Sequence, residues 1–516
     1  MDNDAQSPVE MIKVLEQELA SRQVLLQRLQ DYHDGKHRLA FTSQKFRDAF
    51  GGMFSAFSDN WCQLVVDAVE ERLNVEGFRY GSDPKSDKDA WSIWQANCLD
   101  ADSQLAHSEA LIKGDAYAIV WGNDEGNPRV SIESPRDVVV AYAPGNRKKR
   151  VAALKRWRDD DGFHATLFTP DFVYKYHKND SANGEWLPSL KASEVWPLPN
   201  PLGVVPVVPI TNRASLTSAY GVSEFLGAIP IQDAVNKLVA DMLIASEYIA
   251  YPQRYVTGME IPIDENTGRA IAPFNVSLDK LLVAEDPAAK FGSLTAGDLQ
   301  NYVTGIDTLV QHIASQTRTP PHYFYLSGNF PSGDAIKSAE TGLVAKSRRK
   351  MRFFGESWEE VMRLCFKVLG DPRGDIFESE TVWADPEYRS EAELADALIK
   401  RSAIGVPRQQ LWEDAGYSQT TIARFQAMEA SDVLNQALAV PGGADSSAPA
   451  PAVSDPSEET KKKADALGSL IRSGVKPEDA AKAVGLDGVG FLDVLPVTLK
   501  TAAMTDAETQ QIQAGG

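Results

Sequence analysis

The stretch GNFPSGDAIKS places Gly328 and Gly333 at the spacing of a phosphate-binding loop. Such a loop needs Lys and then Ser or Thr directly after the second glycine. The amine must reach the β- and γ-phosphates and the hydroxyl must hold Mg²⁺. Asp334 and Ala335 stand in those places, and a carboxylate there repels phosphate, so no NTPase is expected. Cys62, Cys98 and Cys365 are scattered and odd in number, which argues against a disulfide framework or a Cys-type zinc site and fits a reducing compartment. The 7 histidines lack ligand spacing, and there is no HExxH, EF-hand loop or CxxC pair, so neither a metal nor a cofactor is expected. Abundant Asp and Glu leave one enzymatic alternative, a soluble multidomain hydrolase working through two carboxylates under a helical lid. No particular pair is singled out by spacing. A scaffold or adaptor is a weaker third reading.

Two basic runs bear on nucleic acid. In KSRRKMR, the charges of Lys346, Arg348, Arg349, Lys350 and Arg352 spread around most of a helix, since only residues three and four apart share a face. Contact with DNA and salt bridges to acidic neighbours are both open for it. NRKKR (Asn146 to Arg150) is short, lacks interleaved aromatics and reads as a solvated hairpin tip. Over the 516 residues the net charge is -20, whereas a protein that grips nucleic acid normally shows a basic surface. Hydrophobic content of 43% and charged content of 24% are ordinary for a globular protein. No apolar run is long enough to span a bilayer, and the acidic start MDNDAQSPVE does not read as a secretory signal.

The elements that would carry such residues follow from periodicity. Pro8 to Tyr32 is an amphipathic helix with Met11, Leu15, Leu19, Leu26 and Leu29 near one face. Asp59 or Asn60 caps a helix that buries Trp61, Leu64, Val65, Ala68, Val69 and Leu73. A further helical region, DKDAWSIWQANCLDADSQLAHSEALIKG, closes at Gly114. From Asp115 to Pro199 the period is two, with turn residues at meander spacing, which predicts an antiparallel sheet. A proline-spaced extended segment then leads into two helices of about 30 Å each. The first carries Ile231, Val235, Leu238, Met242, Ala245 and Ile249 on one face, the second Leu299, Val303, Ile306, Val310 and Ile313. A strand-rich excursion lies between them. An ordinary buried hairpin would explain the two stripes, but a structured insertion of this length is uncommon and suggests a projecting arm. A proline-free helix then runs to Gly370 and buries Ile336, Leu343, Met351, Phe354, Trp358, Val361 and Met362. Two ADAL…GV units, each followed by a proline and closed by Gly416 or Gly485, flank a Pro/Ala/Ser/Gly-rich linker.

The ordered pieces FSDNWCQLVVDAVEERLNVEGF, DAVNKLVADMLIASEYIAYPQRYVTG, SGNFPSGDAIKSAE and ADALIKRSAIGVPRQQLWEDAGYS resemble the portal proteins of tailed bacteriophages with long non-contractile tails, especially those infecting actinobacteria. The resemblance covers roughly Pro8 to Gln426. It implies an α+β, mainly helical portal fold, assembled as a ring that is dodecameric in the virion. Residues 1–221 would be wing, 222–257 and 296–319 stem helices, 258–295 clip, 320–335 the tunnel-loop region, 336–380 a long helix with the rest of the wing, and 381–438 crown. A disordered linker (439–460) and a C-terminal helical repeat with a tail (461–516) would follow.

The resemblance makes Leu326, Ser327, Gly328, Asn329, Phe330, Pro331, Ser332 and Gly333 a loop facing the channel. It makes Glu260, Asp264, Glu265, Arg269, Asp279, Lys280, Glu285 and Asp286 a clip surface for partners. Ile231, Val235, Leu238, Met242, Val303, Ile306 and Val310 would pack the stem, and Lys346, Arg348, Arg349, Lys350 and Arg352 would be the run available to DNA. The implied role is a non-enzymatic channel at one capsid vertex, assembled in the host cytoplasm. Its partners would be major capsid and scaffolding proteins, terminase, head–tail connector proteins and double-stranded DNA passing without sequence specificity. No membrane is involved.

Overall fold

The computed structural model describes residues 7–37, 39, 59–81, 86–178, 184–189, 195–250, 254–258, 263, 268–269, 287–293, 298–324, 333–387, 391–417, 419–438 and 482. The chain divides into a first unit, Met1–Ala430, and a second, Ser431–Gly516.

Helix α1 (Pro8–His33) starts at a capping box: Glu10 N–H donates to Ser7 Oγ, and Ser7 N–H to Glu10 Oε2. Ile12, Leu15 and Leu19 pack on a sheet, whereas Leu29 and Tyr32 reach the main core. Met11 is only half-buried. Helix α2 (Trp61–Glu70) is capped by Asn60, whose side chain accepts from Cys62 N–H at 3.2 Å. Strand β1 (Val75–Tyr80) follows.

The next helical stretch divides in two, α3 (Lys88–Ala96) and α4 (Leu99–Lys113). The break has a cause. The Asn97 side chain donates to Ile93 O and Pro128 O and accepts from Val130 N–H, and Cys98 turns to φ 56. A polar side chain that serves a neighbouring strand interrupts the helix that carries it.

The single expected sheet is two. Strands β2 (Asp115–Gly122) and β3 (Pro128–Glu133) separate at the Ser134–Asp137 turn from β4 (Val138–Ala143), β5 (Asn146–Asp159), β6 (Gly162–Phe168), β7 (Phe172–Lys178) and the two-residue β8 (Leu187–Pro188) and β9 (Leu198–Pro199). The proline-spaced segment supplies β10 (Val207–Thr211), giving an antiparallel sheet in the order β10-β2-β3. Pro209 is tolerated because β10 is an edge strand. The other sheet runs β4-β5-β6-β7-β8, with β9 also on β7. NRKKR adjoins a hairpin turn and is exposed through Lys149, as expected, but it is not the tip itself. The turn lies before it, with Gly145 at φ 72, and the run forms the start of β5. Arg147 donates to Ser215 O and Ser218 O, and Arg150 pairs with Glu360.

After the arm described below, α7 (Gly333–Leu369) crosses the main core for 37 residues, about 55 Å. Leu343, Met351, Phe354, Trp358, Val361 and Met362 are buried as expected, and Ile336 is half-buried. Trp358 lies edge-on to Trp94 at 5.0 Å between ring centroids. Strand β13 (Ser379–Trp383) pairs with β1. Helices α8 (Glu391–Ala403) and α9 (Arg408–Asp414) form the first ADAL unit, with left-handed Gly405 between them and Gly416 after. Helix α10 (Gln419–Leu438) follows. The second ADAL unit, Lys482 apart, lies outside the described residues.

Candidate functional site

The arm is α5 (Ile229–Ala250), a ribbon of β11 (Arg254–Thr257) with β12 (Lys290–Ser293), and α6 (Gln300–Thr317). The ribbon is antiparallel, Tyr255 opposite Gly292. A Cβ at Gly292 would lie 2.5 Å from the Tyr255 ring, so the ring packs over a position without a side chain and would have to turn away from any larger residue. The helices approach closely where Gly305 faces Leu238.

Their apolar stripes are covered unevenly. Val235 and Val310 are buried, Ile231, Leu238, Met242 and Ile306 half-buried, and Val303 is 39% exposed. Leu243, one residue past Met242, is also 39% exposed. The stem candidates therefore share one helix pair that closes at its root and opens toward the ribbon.

Polar residues fasten that root. Gln232 accepts from Trp61 N–H at 2.9 Å and donates to Asp59 O. Asn236 accepts from Asp59 N–H at 3.0 Å, and Tyr32 O–H donates to Asp233 at 2.7 Å. Burial pushes the Tyr32 hydroxyl up to about 12, and this hydrogen bond to a carboxylate holds it there. Gln232, Asp233 and Asn236 are all buried. None was singled out from sequence, although polar residues interleaved with the stripe Ile231–Val235–Leu238 were a readable signal.

A second junction lies just before α5. Glu224, buried, pairs with Lys350 at 2.5 Å and Lys346 at 3.4 Å. Burial opposes its charge, but the two ammoniums hold its carboxyl below the usual range. Lys346 also donates to Thr317 O at 2.6 Å, and Lys350 to Asn212 Oδ1. Asn212 Nδ2 in turn donates to Val222 O at 2.7 Å. Beside it, buried Asp115 pairs with Arg22 at 2.8 Å and accepts from Gly221 N–H at 2.9 Å. Burial raises the Asp115 carboxyl despite that arginine. Gly114 and Gly221 touch backbone to backbone, leaving no room for a Cβ at either.

The basic run is thus divided. Lys346 and Lys350 point inward to Glu224. Arg348 is exposed and pairs with Asp385 and Glu387, Arg349 lies over the Phe353 ring, and Arg352 is exposed. Of the clip candidates only Arg269 is described, and it is exposed; Glu260, Asp264, Glu265, Asp279, Lys280, Glu285 and Asp286 lie outside the described residues. Leu326, Ser327, Gly328, Asn329, Phe330, Pro331 and Ser332 also lie outside them, and Gly333 opens α7. Among the described residues no helix is long and apolar enough to cross a membrane.

A family model of phage portal proteins, SPP1 Gp6-like, matches residues 12–432. This is most of the chain, from α1 through α10, and the chain belongs to that family of phage portal proteins. Among its relatives is the portal protein of Mycobacterium phage D29, 33% identical over 376 residues, which span 69% of this chain and 75% of that protein. The portal protein of Mycobacterium phage L5 is 34% identical over 378 residues, with the same shares. Among solved structures, a chain from the neck of an empty gene transfer agent (GTA) particle, determined with C6 symmetry, aligns with a TM-score of 0.41 and 11% identity over 75% of this chain and 95% of that one. A chain from the neck of a native GTA particle, determined with C12 symmetry, gives 0.39 and 11% over 76% and 98%. The family sets the chain among structural proteins of virions, and the hydrolase alternative has no support.

Proposed function

We propose that the chain is one subunit of a portal ring at a single capsid vertex. Copies surround an axial channel, dodecameric by the family pattern. Double-stranded DNA enters through it, driven by a separate terminase, and leaves through it on ejection. The observation that carries this reading is the arm. Its helix pair is anchored at the root by Gln232, Asp233 and Asn236, yet leaves Leu243 and Val303 partly open to solvent. A neighbouring copy would cover these residues, and a heterologous contact that closes on itself makes a ring.

In this reading the sequence-defined segments keep their roles: 1–221 wing, 258–295 clip, 381–438 crown and Leu326 to Gly333 facing the channel. The clip docks terminase and then head–tail connector proteins, while the rest of the ring meets capsid and scaffolding proteins. Contact with DNA in the basic run falls to Arg349 and Arg352, since Lys346 and Lys350 are turned inward. A net charge of -20 suits a channel through which a polyanion slides without sticking. Negative-stain electron microscopy of the purified protein, with its mass in solution, tests the reading. Rings with a central hole and a mass many times that of one chain are expected. A monomer that persists with scaffolding and capsid proteins present overturns it.

A further inference from the structure

The loop after β10 carries an apolar tip that the chain leaves bare. Leu216 is 95% exposed. The loop around it is nonetheless fastened. Arg147 of β5 donates to Ser215 O and to Ser218 O, one on each side of Leu216. The Ser215 and Thr217 hydroxyls lie 2.9 Å apart, and Thr217 N–H donates to Ser215 Oγ at 3.2 Å. A bare leucine on a fastened loop is a preorganised contact, because little freedom is left to lose on binding. Lys148 and Lys149 follow Arg147 in β5. Both are exposed, and neither ammonium has an anionic partner among the described residues. The result is a knob, one leucine beside two free cations.

A cleft of the opposite character lies across α7. Lys350 donates to Asn212, where the loop begins. Arg348 is two residues earlier, hence about 200° away around the helix, and pairs with Asp385 and Glu387 on the rim of the cleft. The cleft, about 1070 Å³, opens between the β1–β13 pair and helices α8 and α9. Val382, Trp383, Pro386 and Leu394 give it apolar walls. Eight carboxylates line it against four arginines, and the arginines are already taken. Arg72 pairs with Glu340, Arg79 with Glu413, Arg348 with Asp385 and Glu387, and Arg401 with Asp414. Glu71 and Glu76 line the cleft with no cation paired to them among the described residues. Glu413, more than nine-tenths buried, keeps its Oε1 without a hydrogen-bond partner there. Burial, with Glu413 adding to it, brings the neighbouring Glu76 carboxyl up to about 7. Carboxylates withdrawn from water without a partner are costly, and an incoming cation relieves that cost.

We propose that the Leu216 knob of one copy seats in this cleft of the next, Leu216 against Val382, Trp383 and Leu394, and Lys148 and Lys149 against Glu71 and Glu76. The two surfaces match in charge and in apolar content. Set on opposite sides of α7, they meet head to tail between copies, the arrangement that closes into a ring. The proposal rests on the ring reading and gives it a second contact, apart from the open stripe of the arm.

Cross-linking in the full-length protein tests the contact. A photoreactive residue in place of Leu216 should, on irradiation of assembled rings, join to the segment from Val382 to Leu394. Mixed light and heavy isotope-labelled chains should show that the two ends come from different copies. Two charge-reversed variants give an independent reading: Lys148→Glu with Lys149→Glu, and Glu71→Lys with Glu380→Lys. All four side chains are exposed, so each variant should melt as wild type does. Each should weaken ring assembly, followed by mass in solution, at least about tenfold, because like charges then face each other. The four substitutions together should restore it. Rings that form as in wild type with either reversed pair, or cross-links that fall elsewhere, overturn the contact and leave the ring reading standing. Absence of wild-type rings even with scaffolding and capsid proteins present overturns the ring reading, and the contact with it.

Discussion

Trp358 and Val303 occupy the same kind of position, an apolar residue on the stripe of a long helix, yet their surroundings differ. Trp358 on α7 is fully enclosed, edge-on to Trp94, and donates to His107 Nε2 at 2.8 Å. Val303 on α6 is 39% exposed, with Leu243 equally open on the partner helix. The main core closes within one chain. Among the described residues the arm closes only at its root, and its outer part leaves apolar side chains partly exposed. Leu243 and Val303 lie on the facing helices of one pair, the arrangement a neighbouring copy would cover in the proposed ring. The contrast separates residues that make the subunit fold from residues that make subunits assemble.

The sharpest way to break that contrast is at Trp358. Trp358→Ala removes a fully buried aromatic and the donor to His107, and should destabilise the chain by roughly 3–5 kcal/mol. A denaturant melt would show a lower midpoint at unchanged slope. A loss below about 1 kcal/mol would mean that the enclosed Trp358 contributes little to holding the main core together.

A pH series sharpens it further. Burial lowers the His107 imidazole to about 3. The unfolded chain takes up that proton near pH 6.5, the native one only near 3, so between these values the unfolded state binds more protons. Stability therefore falls as pH drops through this window and is retained above it. Burial at Lys346 acts in the same direction but at the alkaline end: stability rises with pH between about 8 and the ordinary lysine value of 10.5. The difference in stability between wild type and His107→Gln should change steadily below pH 6.5, against the wild type, and be constant above it. A difference that is the same at pH 7 and pH 4.5 would mean His107 is not held neutral.

Much of this architecture was legible in the residues. The expected helix start at Pro8 is met by α1, and of the two expected caps, Asp59 and Asn60, it is Asn60 that caps α2. The division into two sheets was not, because strand pairing is decided by partners such as β10, which lies some seventy residues beyond β3 in the chain. The basic run was half legible. Leu343, Ser347, Lys350 and Phe354 recur at four, three and four residues, so Lys350 stood on the buried face of α7, while Arg348 and Arg352 did not. What turns Lys350 and Lys346 inward is Glu224, more than a hundred residues earlier, and no local pattern announces a partner at that distance. The two apolar stripes could be read from spacing, but spacing cannot tell a stripe covered by its own chain from one awaiting another copy.

That distinction is the subject of the smallest expected change in stability. Val303→Asp places a carboxylate where the single chain leaves the side chain partly in water, on a helix with no other buried partner for it at that turn. In an isolated chain such a substitution should alter stability by no more than about 0.5 kcal/mol. In a ring the same carboxylate would be forced against a neighbour's apolar stripe, where an unpaired charge is costly. The variant should therefore melt like wild type as a monomer and fail to form rings by sedimentation and electron microscopy. Val310→Asp, seven residues (about 10 Å) nearer the root on the same helix, is the control: there the side chain is already buried within the chain, so folding and assembly should be lost together. If Val303→Asp assembles normally, the open part of the arm is not an interface, and the reason for its exposed stripe must be sought in a partner other than a second copy.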